Sequence, residues 1–150
     1  MQVRDIMSRE VECIKADCTV QEAAQKMKSH DIGPLPVIDN NTLVGMITDR
    51  DIVLRAVAEG CDPKTEKVRN VMTHDVASCT EDQSTEDAAR IMKIRQLRRL
   101  TVLDQERRLV GMISLGDLAT AAGSRIAGEA LEGISQPTTP RDVAVLGTPY

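Results

Sequence analysis

The chain contains one sequence pattern twice, and this repetition restricts it to folds that are built from two similar units. The segment Val3–Ser8 recurs as Val68–Thr73, 65 residues later, with the same apolar positions. Leu43–Thr48 recurs as Leu109–Ser114, 66 residues later. The extra residue falls where a turn is predicted. Repetition at a fixed period is typical of chains in which one supersecondary unit packs against its own copy.

Each repeat predicts the element order strand, helix, strand, strand, helix. Thr19 and Ser84 each precede an apolar stripe at helical spacing, and each has an acidic residue three positions later, as in a capping box. Alternating apolar segments around polar turns predict one hairpin in each repeat. The predicted bounds are 11–14 and 76–79 for the first strands, 35–48 and 100–114 for the hairpins, and Asp49 and Gly116 for the starts of the closing helices.

The repeats divide the chain into 1–64, 65–125 and a remainder, 126–150. A unit of about 60 residues buries a marginal core, so we expect the two repeats to pack together. A short helix is predicted over 126–134 in the remainder. Helical periodicity stops after Ser135, and the composition that follows predicts poor order or docking on a partner chain.

Composition disfavours several classes of partner. The net charge is -4, and the chain has no Phe or Trp and a single Tyr, so it lacks both a basic surface and stacking platforms for nucleic acid. No apolar run is long enough to span a membrane. The four cysteines form no C-x-x-C pair, which disfavours a zinc site and suits reduced thiols. We therefore expect a cytoplasmic protein without metal, membrane or nucleic acid.

A hydroxyl and a carboxylate recur three residues apart where the second hairpin strand of each repeat becomes a helix. The pairs are Thr48 with Asp51 and Ser114 with Asp117. One interpretation is structural, because Ser/Thr-x-x-Asp at such a place caps a helix. The other is that the carboxylate accepts hydrogen bonds from ribose hydroxyls while the neighbouring hydroxyl lies near phosphate. Both roles can exist at one helix start.

Arg98 and Arg99 come directly before a predicted buried strand, where the first repeat has Gly33 and Pro34. Guanidinium groups bind phosphate oxygens in a bidentate manner. The alternative is a solvated surface pair. No catalytic triad, Walker loop or G-x-G-x-x-G motif is present, so the sequence does not predict an enzyme.

Taken in order, these segments resemble a CBS domain, the module named for cystathionine β-synthase. The resemblance covers residues 3 to 125 in two copies. It rests in the first copy on Asp5–Met7, Thr19–Ala24, Ile32–Val37 and Gly45–Asp51, and in the second on Val71–Met72, Ala88–Ala89, Arg99–Val102 and Gly111–Asp117. It implies an α+β fold, a pseudo-twofold pair of βαββα repeats known as a Bateman module, which often dimerises into a disc.

The resemblance also implies a ligand. CBS pairs bind AMP, ADP, ATP or S-adenosylmethionine in clefts between repeats, and they require no catalytic cofactor. Each cleft takes the hydroxyl and carboxylate of one repeat with the linker and the loop before the strand of the other. One predicted cleft combines Thr48 and Asp51 with Met72, Leu97, Arg98 and Arg99. The other combines Ser114 and Asp117 with Met7, Ile32, Gly33 and Pro34.

Two functions therefore remain open. In the first, the protein is a homodimeric regulatory module that binds an adenine nucleotide and signals to an unidentified target protein by changing conformation. In the second, it is an interaction scaffold without a ligand, and its Ser/Thr-x-x-Asp motifs are helix caps only.

Overall fold

The structure is a computed structural model that describes residues 1–137. Its fold is α+β, as the sequence predicts, and each repeat supplies one three-stranded sheet with helices. After a 3₁₀ turn (Val3–Asp5), the first repeat forms β1 (Ile14–Lys15), α1 (Val20–His30), β2 (Pro34–Asp39), β3 (Thr42–Thr48) and α2 (Asp49–Ile52), which continues as a π-helical turn (Val53–Val57). A short helix, α3 (Val68–Val71), precedes the second repeat.

The second repeat has the same elements in the same order, followed by one additional helix. They are β4 (Ser78–Thr80), α4 (Thr85–Arg95), β5 (Arg99–Leu103), β6 (Leu109–Ser114), α5 (Leu115–Asp117) with a π-helical turn (Leu118–Ala122), and finally α6 (Ser124–Ile134). The helix predicted over 126–134 is thus confirmed and begins two residues earlier. The expected loss of order beyond it concerns mainly residues 138–150, which lie outside the described residues.

The two sheets share one topology. The first strand of each repeat pairs parallel with the second, and the second pairs antiparallel with the third. The register also shifts at one place in each hairpin, between Val37 and Ile38 and between Val102 and Leu103. The sequence repeat is therefore also a structural repeat, and the two hairpins share the same shift in strand register.

The first strand of each repeat is shorter and starts later than predicted. In the first repeat, the carbonyl of Cys13 accepts a hydrogen bond from Lys26 Nζ at 2.5 Å. In the second, the carbonyl of Ala77 accepts one from Thr101 Oγ1 at 3.2 Å. These carbonyls bond to side chains, and the strands begin only at the next residue.

The predicted caps at the first helix of each repeat are present. Thr19 Oγ1 accepts a hydrogen bond from the Glu22 N–H at 3.2 Å, and Ser84 Oγ accepts one from the Asp87 N–H at 3.0 Å. Such bonds satisfy N–H groups that have no partner inside the helix. Both helices are 11 residues long and end at a residue in the left-handed region, Asp31 and Gln96, each with φ of 53°.

The chain forms two compact units, and their boundaries differ from those of the sequence repeats. The first unit is Glu12–Val76, and the second unit is Met1–Val11 together with the chain from Ala77 onward. The segment before each repeat, which we call its strap, belongs to the unit of the other repeat. Strap Val68–Thr73 is part of the first unit, and strap Val3–Ser8 is part of the second.

Each strap is held by a reciprocal pair of backbone hydrogen bonds. In the first unit, the Thr73 N–H donates to the Met46 carbonyl at 2.8 Å, and the Met46 N–H donates to the Thr73 carbonyl at 2.9 Å. In the second unit, Ser8 and Met112 exchange the same two bonds, both at 2.9 Å. The strap valines are also buried in the unit's core. Strap pairing therefore explains why the compact units do not follow the repeat boundaries.

Each unit has its own core of aliphatic side chains and methionine. In the first unit, most of the largest fully buried side chains lie on the hairpin and the strap and include Leu35, Ile47 and Val68, while Val20 is buried on α1. Leu100 and Ile113 occupy the corresponding hairpin positions in the second unit. No helix within residues 1–137 is both long enough and apolar enough to cross a membrane.

A glycine allows the close approach of strap and strand in each unit. A Cβ on Gly45 would lie 2.6 Å from Met72 Sδ and 2.8 Å from the Thr73 carbonyl oxygen. A Cβ on Gly111 would lie 2.7 Å from Met7 Sδ and 2.8 Å from the Ser8 carbonyl oxygen. The methionine can move, but the carbonyl belongs to the paired backbone and cannot move without breaking the strap pairing.

We expect Gly45→Ala and Gly111→Ala each to lower the free energy of unfolding by about 1–3 kcal/mol, the usual cost of overpacking. Chemical denaturation measures this effect. Gly128→Ala on α6 is the control, because a Cβ there meets nothing within 4 Å. Alanine in a helix interior is favoured over glycine, so the control should stabilise the protein by about 0.5–1 kcal/mol. Unchanged stability in both strap variants would contradict the close packing.

Candidate functional site

The Ser/Thr-x-x-Asp motifs form reciprocal helix caps. Thr48 Oγ1 accepts a hydrogen bond from the Asp51 N–H at 3.1 Å, and Asp51 Oδ2 accepts one from the Thr48 N–H at 3.0 Å. Ser114 and Asp117 make the same two bonds at 3.0 and 2.8 Å. The structural interpretation of the motifs is therefore confirmed. The cap uses one acceptor position of each carboxylate, and the second carboxylate oxygen takes no part in it.

The second oxygen of Asp51 faces a cation of its own unit. Asp51 is only 3% exposed, and its Oδ1 lies 3.7 Å from Arg55 Nη1, one helical turn later. Burial raises the pKa of this carboxyl, and this effect outweighs the hydrogen bonds from Thr48 and the positive charge of Arg55, which lower it. A hydrogen bond with Thr73 also lowers it. The Asp51 carboxylate is thus largely occupied inside the first unit.

Arg55 also fastens the strap of the first unit. Its Nη1 lies at hydrogen-bond distance from the carbonyls of Val71 and Met72, both at 3.1 Å, and from Thr73 Oγ1 at 3.2 Å. One guanidinium therefore connects α2 with three consecutive strap residues. The sequence analysis missed this residue, although a cation four positions after an acid on a helix is a recognisable pairing.

The second unit lacks this arginine. Ala121 stands at the position that corresponds to Arg55, and Asp117 is half-buried instead of buried. The Asp117 carboxylate accepts the cap hydrogen bond from Ser114. Two motifs that are nearly identical in sequence thus have different surroundings, and Asp117 is the more accessible of the two acids.

The second unit contains a groove of about 980 Å³ beside this motif. Arg98, Arg99 and Ser114 line one side. They are brought together by the hairpin, because Arg99 is the register partner of Ser114 and the Leu115 N–H donates to the Arg98 carbonyl at 2.8 Å. Both arginines are exposed, and within residues 1–137 neither forms an ion pair. They leave positive charge available to an anion.

The corresponding edge of the first unit is acidic. Pro34 is the register partner of Thr48, and the Asp49 N–H donates to the Gly33 carbonyl at 3.3 Å. A Cβ on Gly33 would lie 3.2 Å from Asp49 Oδ1. At the corresponding positions, the second unit has Leu115 in place of Asp49 and its two arginines in place of Gly33 and Pro34. Asp49 repels an anion, and this edge of the first unit is therefore a poor phosphate site.

The other predicted site residues have packing roles in the structure. Met7 and Met72 are buried beside the strap glycines, at 8% and 6% exposure. Leu97 packs partly buried against the core of the second unit, and Ile32 against that of the first. Sequence reasoning did not predict that α6 would form the other side of the groove.

The structure groups the predicted residues by unit. Thr48, Asp51, Met72, Ile32, Gly33 and Pro34 lie in the first unit, whereas Ser114, Asp117, Met7, Leu97, Arg98 and Arg99 lie in the second. Each strap methionine, which was predicted to reach the motif from the linker of the other repeat, thus lies in the same compact unit as that motif. The loops before the strands were grouped with the motif of the other repeat, and those two combinations stay predictions. In the described part of the chain, no three His, Cys, Asp or Glu side chains are placed to hold a metal ion.

Comparison with known proteins identifies the family. The family model of the CBS domain matches residues 3–57 and 68–124, so this chain belongs to the CBS domain family and carries two such domains in tandem. One relative, the CBS domain-containing protein YhcV of Bacillus subtilis (strain 168), is 43% identical over 134 residues, which make up 89% of this chain and 94% of YhcV.

Two solved structures of CBS proteins contain adenosine compounds. The CBS domain pair of protein MJ0100, in complex with 5-methylthioadenosine and S-adenosyl-L-methionine, is 29% identical with a TM-score of 0.70, covering 80% of this chain and 94% of that one. CBSX2 in complex with AMP is 29% identical with a TM-score of 0.69, covering 81% and 95%. The fold of this chain is thus that of CBS pairs.

The structure predicts that Arg55→Ala destabilises the first unit. The variant leaves strap carbonyls without a donor and the buried Asp51 carboxylate without its cation, so we expect a loss of about 1–3 kcal/mol, the usual cost of stranding buried polar groups. Chemical denaturation measures the loss. Arg50→Ala is the matched control, because Arg50 is exposed on the same helix and its side chain forms no hydrogen bond with the described residues.

The loss should also depend on pH. The folded pKa of Asp51 is raised above its ordinary value of 3.8, so this group favours folding while protonated, and that contribution is lost as pH rises through the folded pKa. Arg55 offsets part of this loss because it attracts the ionised form. Arg55→Ala should therefore cost more stability at neutral pH than below pH 3.8. An equal cost at both would rule out the ion pair.

Proposed function

We propose that this protein is a regulatory CBS-pair module that binds an adenine nucleotide, AMP, ADP or ATP, and signals to a partner protein by changing conformation. S-adenosylmethionine is the alternative ligand. The observation that carries the proposal is the groove of the second unit, where two arginines without ion-pair partners among the described residues stand beside Ser114. CBS proteins of the same fold hold AMP and S-adenosyl-L-methionine.

The groove suits the charged end of a nucleotide. Guanidinium groups form bidentate hydrogen bonds with phosphate oxygens, and such charge-assisted bonds are roughly twice as strong as neutral ones. Arg98 and Arg99 are adjacent in sequence at the start of β5, so they can bind different oxygens of one phosphate chain. The groove volume of about 980 Å³ falls within the range of small-molecule sites.

The half-buried Asp117 suits the ribose. A carboxylate accepts hydrogen bonds from two neighbouring hydroxyl groups, and Asp117 has one oxygen beyond the oxygen that caps its helix. Under this proposal, Ser114 and Asp117 bind with Met7, Ile32, Gly33 and Pro34 in one cleft of the pair. Thr48, Asp51 and Met72 bind with Leu97, Arg98 and Arg99 in the other, as the family resemblance implies.

The proposed role is regulation without catalysis. A ligand changes the conformation of such a module only if it binds two conformations with different affinity, and a bound partner reads the difference. We propose a cytoplasmic homodimer as the working form, again by resemblance.

A second function, interaction without a ligand, is favoured by a different surface. The π-helical turn Val53–Val57 of the first unit exposes three apolar side chains, Val53 by 54%, Leu54 by 46% and Val57 by 67%. Clusters of exposed apolar side chains commonly mark interaction sites. This surface supports binding of a protein, and it is compatible with nucleotide binding in the second unit.

Isothermal titration calorimetry with ATP tests the proposal. Replacing both arginines, Arg98→Ala with Arg99→Ala, should weaken ATP binding by at least about tenfold, because each charged hydrogen bond contributes roughly 1.5–3 kcal/mol. Adenosine lacks the phosphates and should bind the variant as it binds the unmodified protein. Asp51→Asn in the cleft with the arginines and Asp117→Asn in the other cleft should each weaken both ligands, because the ribose is common to them.

The matched control removes two arginines of the same unit from outside the groove, Arg90→Ala with Arg107→Ala. It has the same net charge as the test variant, and ATP affinity should remain within a factor of about two. If both double variants weaken ATP binding equally, the loss of affinity comes from the change in net charge and not from the groove arginines. If the unmodified protein binds none of AMP, ADP, ATP and S-adenosylmethionine, the proposed function is refuted. The interaction scaffold without a ligand would then be the remaining function.

A further inference from the structure

A hydroxyl links Arg55 to the carboxylate of the first motif. Arg55 Nη1 lies at hydrogen-bond distance from Thr73 Oγ1, at 3.2 Å, and the Thr73 hydroxyl also forms a hydrogen bond with the Asp51 carboxylate. The same nitrogen lies 3.1 Å from the carbonyls of Val71 and Met72. Arg55, Thr73 and Asp51 therefore form one connected set, which we call the strap network.

The strap network both positions the Asp51 carboxylate and favours its charge. Arg55 Nη1 lies 3.7 Å from Asp51 Oδ1, too far for a hydrogen bond, so the arginine attracts the ionised carboxylate without taking an acceptor position from it. The charge of Arg55 and the Thr73 hydroxyl both lower the pKa of Asp51, against the burial that raises it. These contacts favour the hydrogen-bond-accepting form of a carboxylate that is only 3% exposed.

The second unit shows that a strap forms without such an arginine. Ala121 stands at the position that corresponds to Arg55. The strap of that unit nevertheless keeps both backbone hydrogen bonds between Ser8 and Met112, each at 2.9 Å. Strap pairing alone therefore does not require the side-chain contacts of Arg55, and these contacts indicate a role at the motif itself.

We propose that Arg55 is a positioning residue of the nucleotide site: through Thr73 it holds the strap against Asp51, and it thereby sets the affinity for the ribose of the ligand. This inference rests on the proposed function, in which Asp51 and Met72 bind the ligand. Arg55 acts through its neighbours and needs no contact with the ligand. Because ATP and adenosine share the ribose, the effect is the same for both, whereas the groove arginines act on the phosphates.

Isothermal titration calorimetry compares Arg55→Ala with the unmodified protein. We expect the affinities for ATP and for adenosine to fall by the same factor, at least about fivefold, the lower end of the usual coupling between two positions. Arg98→Ala with Arg99→Ala should instead weaken ATP and leave adenosine unchanged. The ratio of the two affinities therefore separates positioning of the ribose from binding of the phosphates.

Two control variants match the loss of charge and the loss of stability. Lys28→Ala removes one exposed positive charge from α1 of the same unit, and Ile14→Ala opens a cavity in the same core on β1. Strand β1 lies at the edge of the sheet away from β3, with which the strap pairs. At a temperature where each variant is folded, both controls should keep ATP affinity within a factor of about two. A loss in Ile14→Ala equal to that in Arg55→Ala would overturn the inference.

A second pair of variants tests the Thr73 hydroxyl. Thr73→Ser keeps the hydroxyl, and serine is the residue at the corresponding position of the other strap, so this variant should bind ATP like the unmodified protein. Thr73→Val removes the hydroxyl and should weaken ATP and adenosine together, by at least about threefold. Adding Thr73→Val to Arg55→Ala should increase the loss only slightly, because changes within one network are not additive. Fully additive losses would overturn the link through Thr73.

The outcomes distinguish this inference from the proposed function. If the Arg98 and Arg99 double variant weakens ATP but Arg55→Ala binds ATP and adenosine like the unmodified protein, the positioning role is wrong and the proposed function stands. If Arg55→Ala weakens ATP alone, Arg55 acts on the phosphates and the inference is also wrong. If the unmodified protein binds no adenosine compound, the proposed function is wrong and the inference falls with it.

Discussion

The pairing of each strap with the hairpin of the other repeat is the interaction on which both compact units depend. Two backbone hydrogen bonds at 2.8 to 2.9 Å hold each strap, and Gly45 and Gly111 let the backbones approach this closely. The strap also places a methionine beside the strand that leads into the Ser/Thr-x-x-Asp motif. Because each strap precedes one repeat in the chain but completes the other, neither repeat is a complete unit by itself.

The two units have the same backbone arrangement, and they differ in a few side chains. Arg55 encloses the carboxylate of the first motif, whereas Ala121 leaves that of the second half-exposed. Asp49 makes one edge acidic, whereas Arg99 and its neighbour make the other basic. Electrostatics therefore separates the units more than packing does, and it favours the second unit as the phosphate-binding one.

The sequence predicted those features that depend on neighbours along the chain. The repeat, the hairpins and the caps at Thr19 and Ser84 follow from residue spacing, because a cap bonds to an N–H only three residues away. Strap exchange did not follow, because adjacency in sequence does not determine which strand a short apolar segment pairs with. The groove side of α6 was not predictable either, since its apolar stripe shows that it packs but not against which element.

The most direct measurement of the central claim is a crystal structure of the protein with ATP. The account predicts that the phosphates of a bound ATP lie at the guanidinium groups of Arg98 and Arg99. Bound ATP whose phosphates make no contact with Arg98 or Arg99 would contradict it.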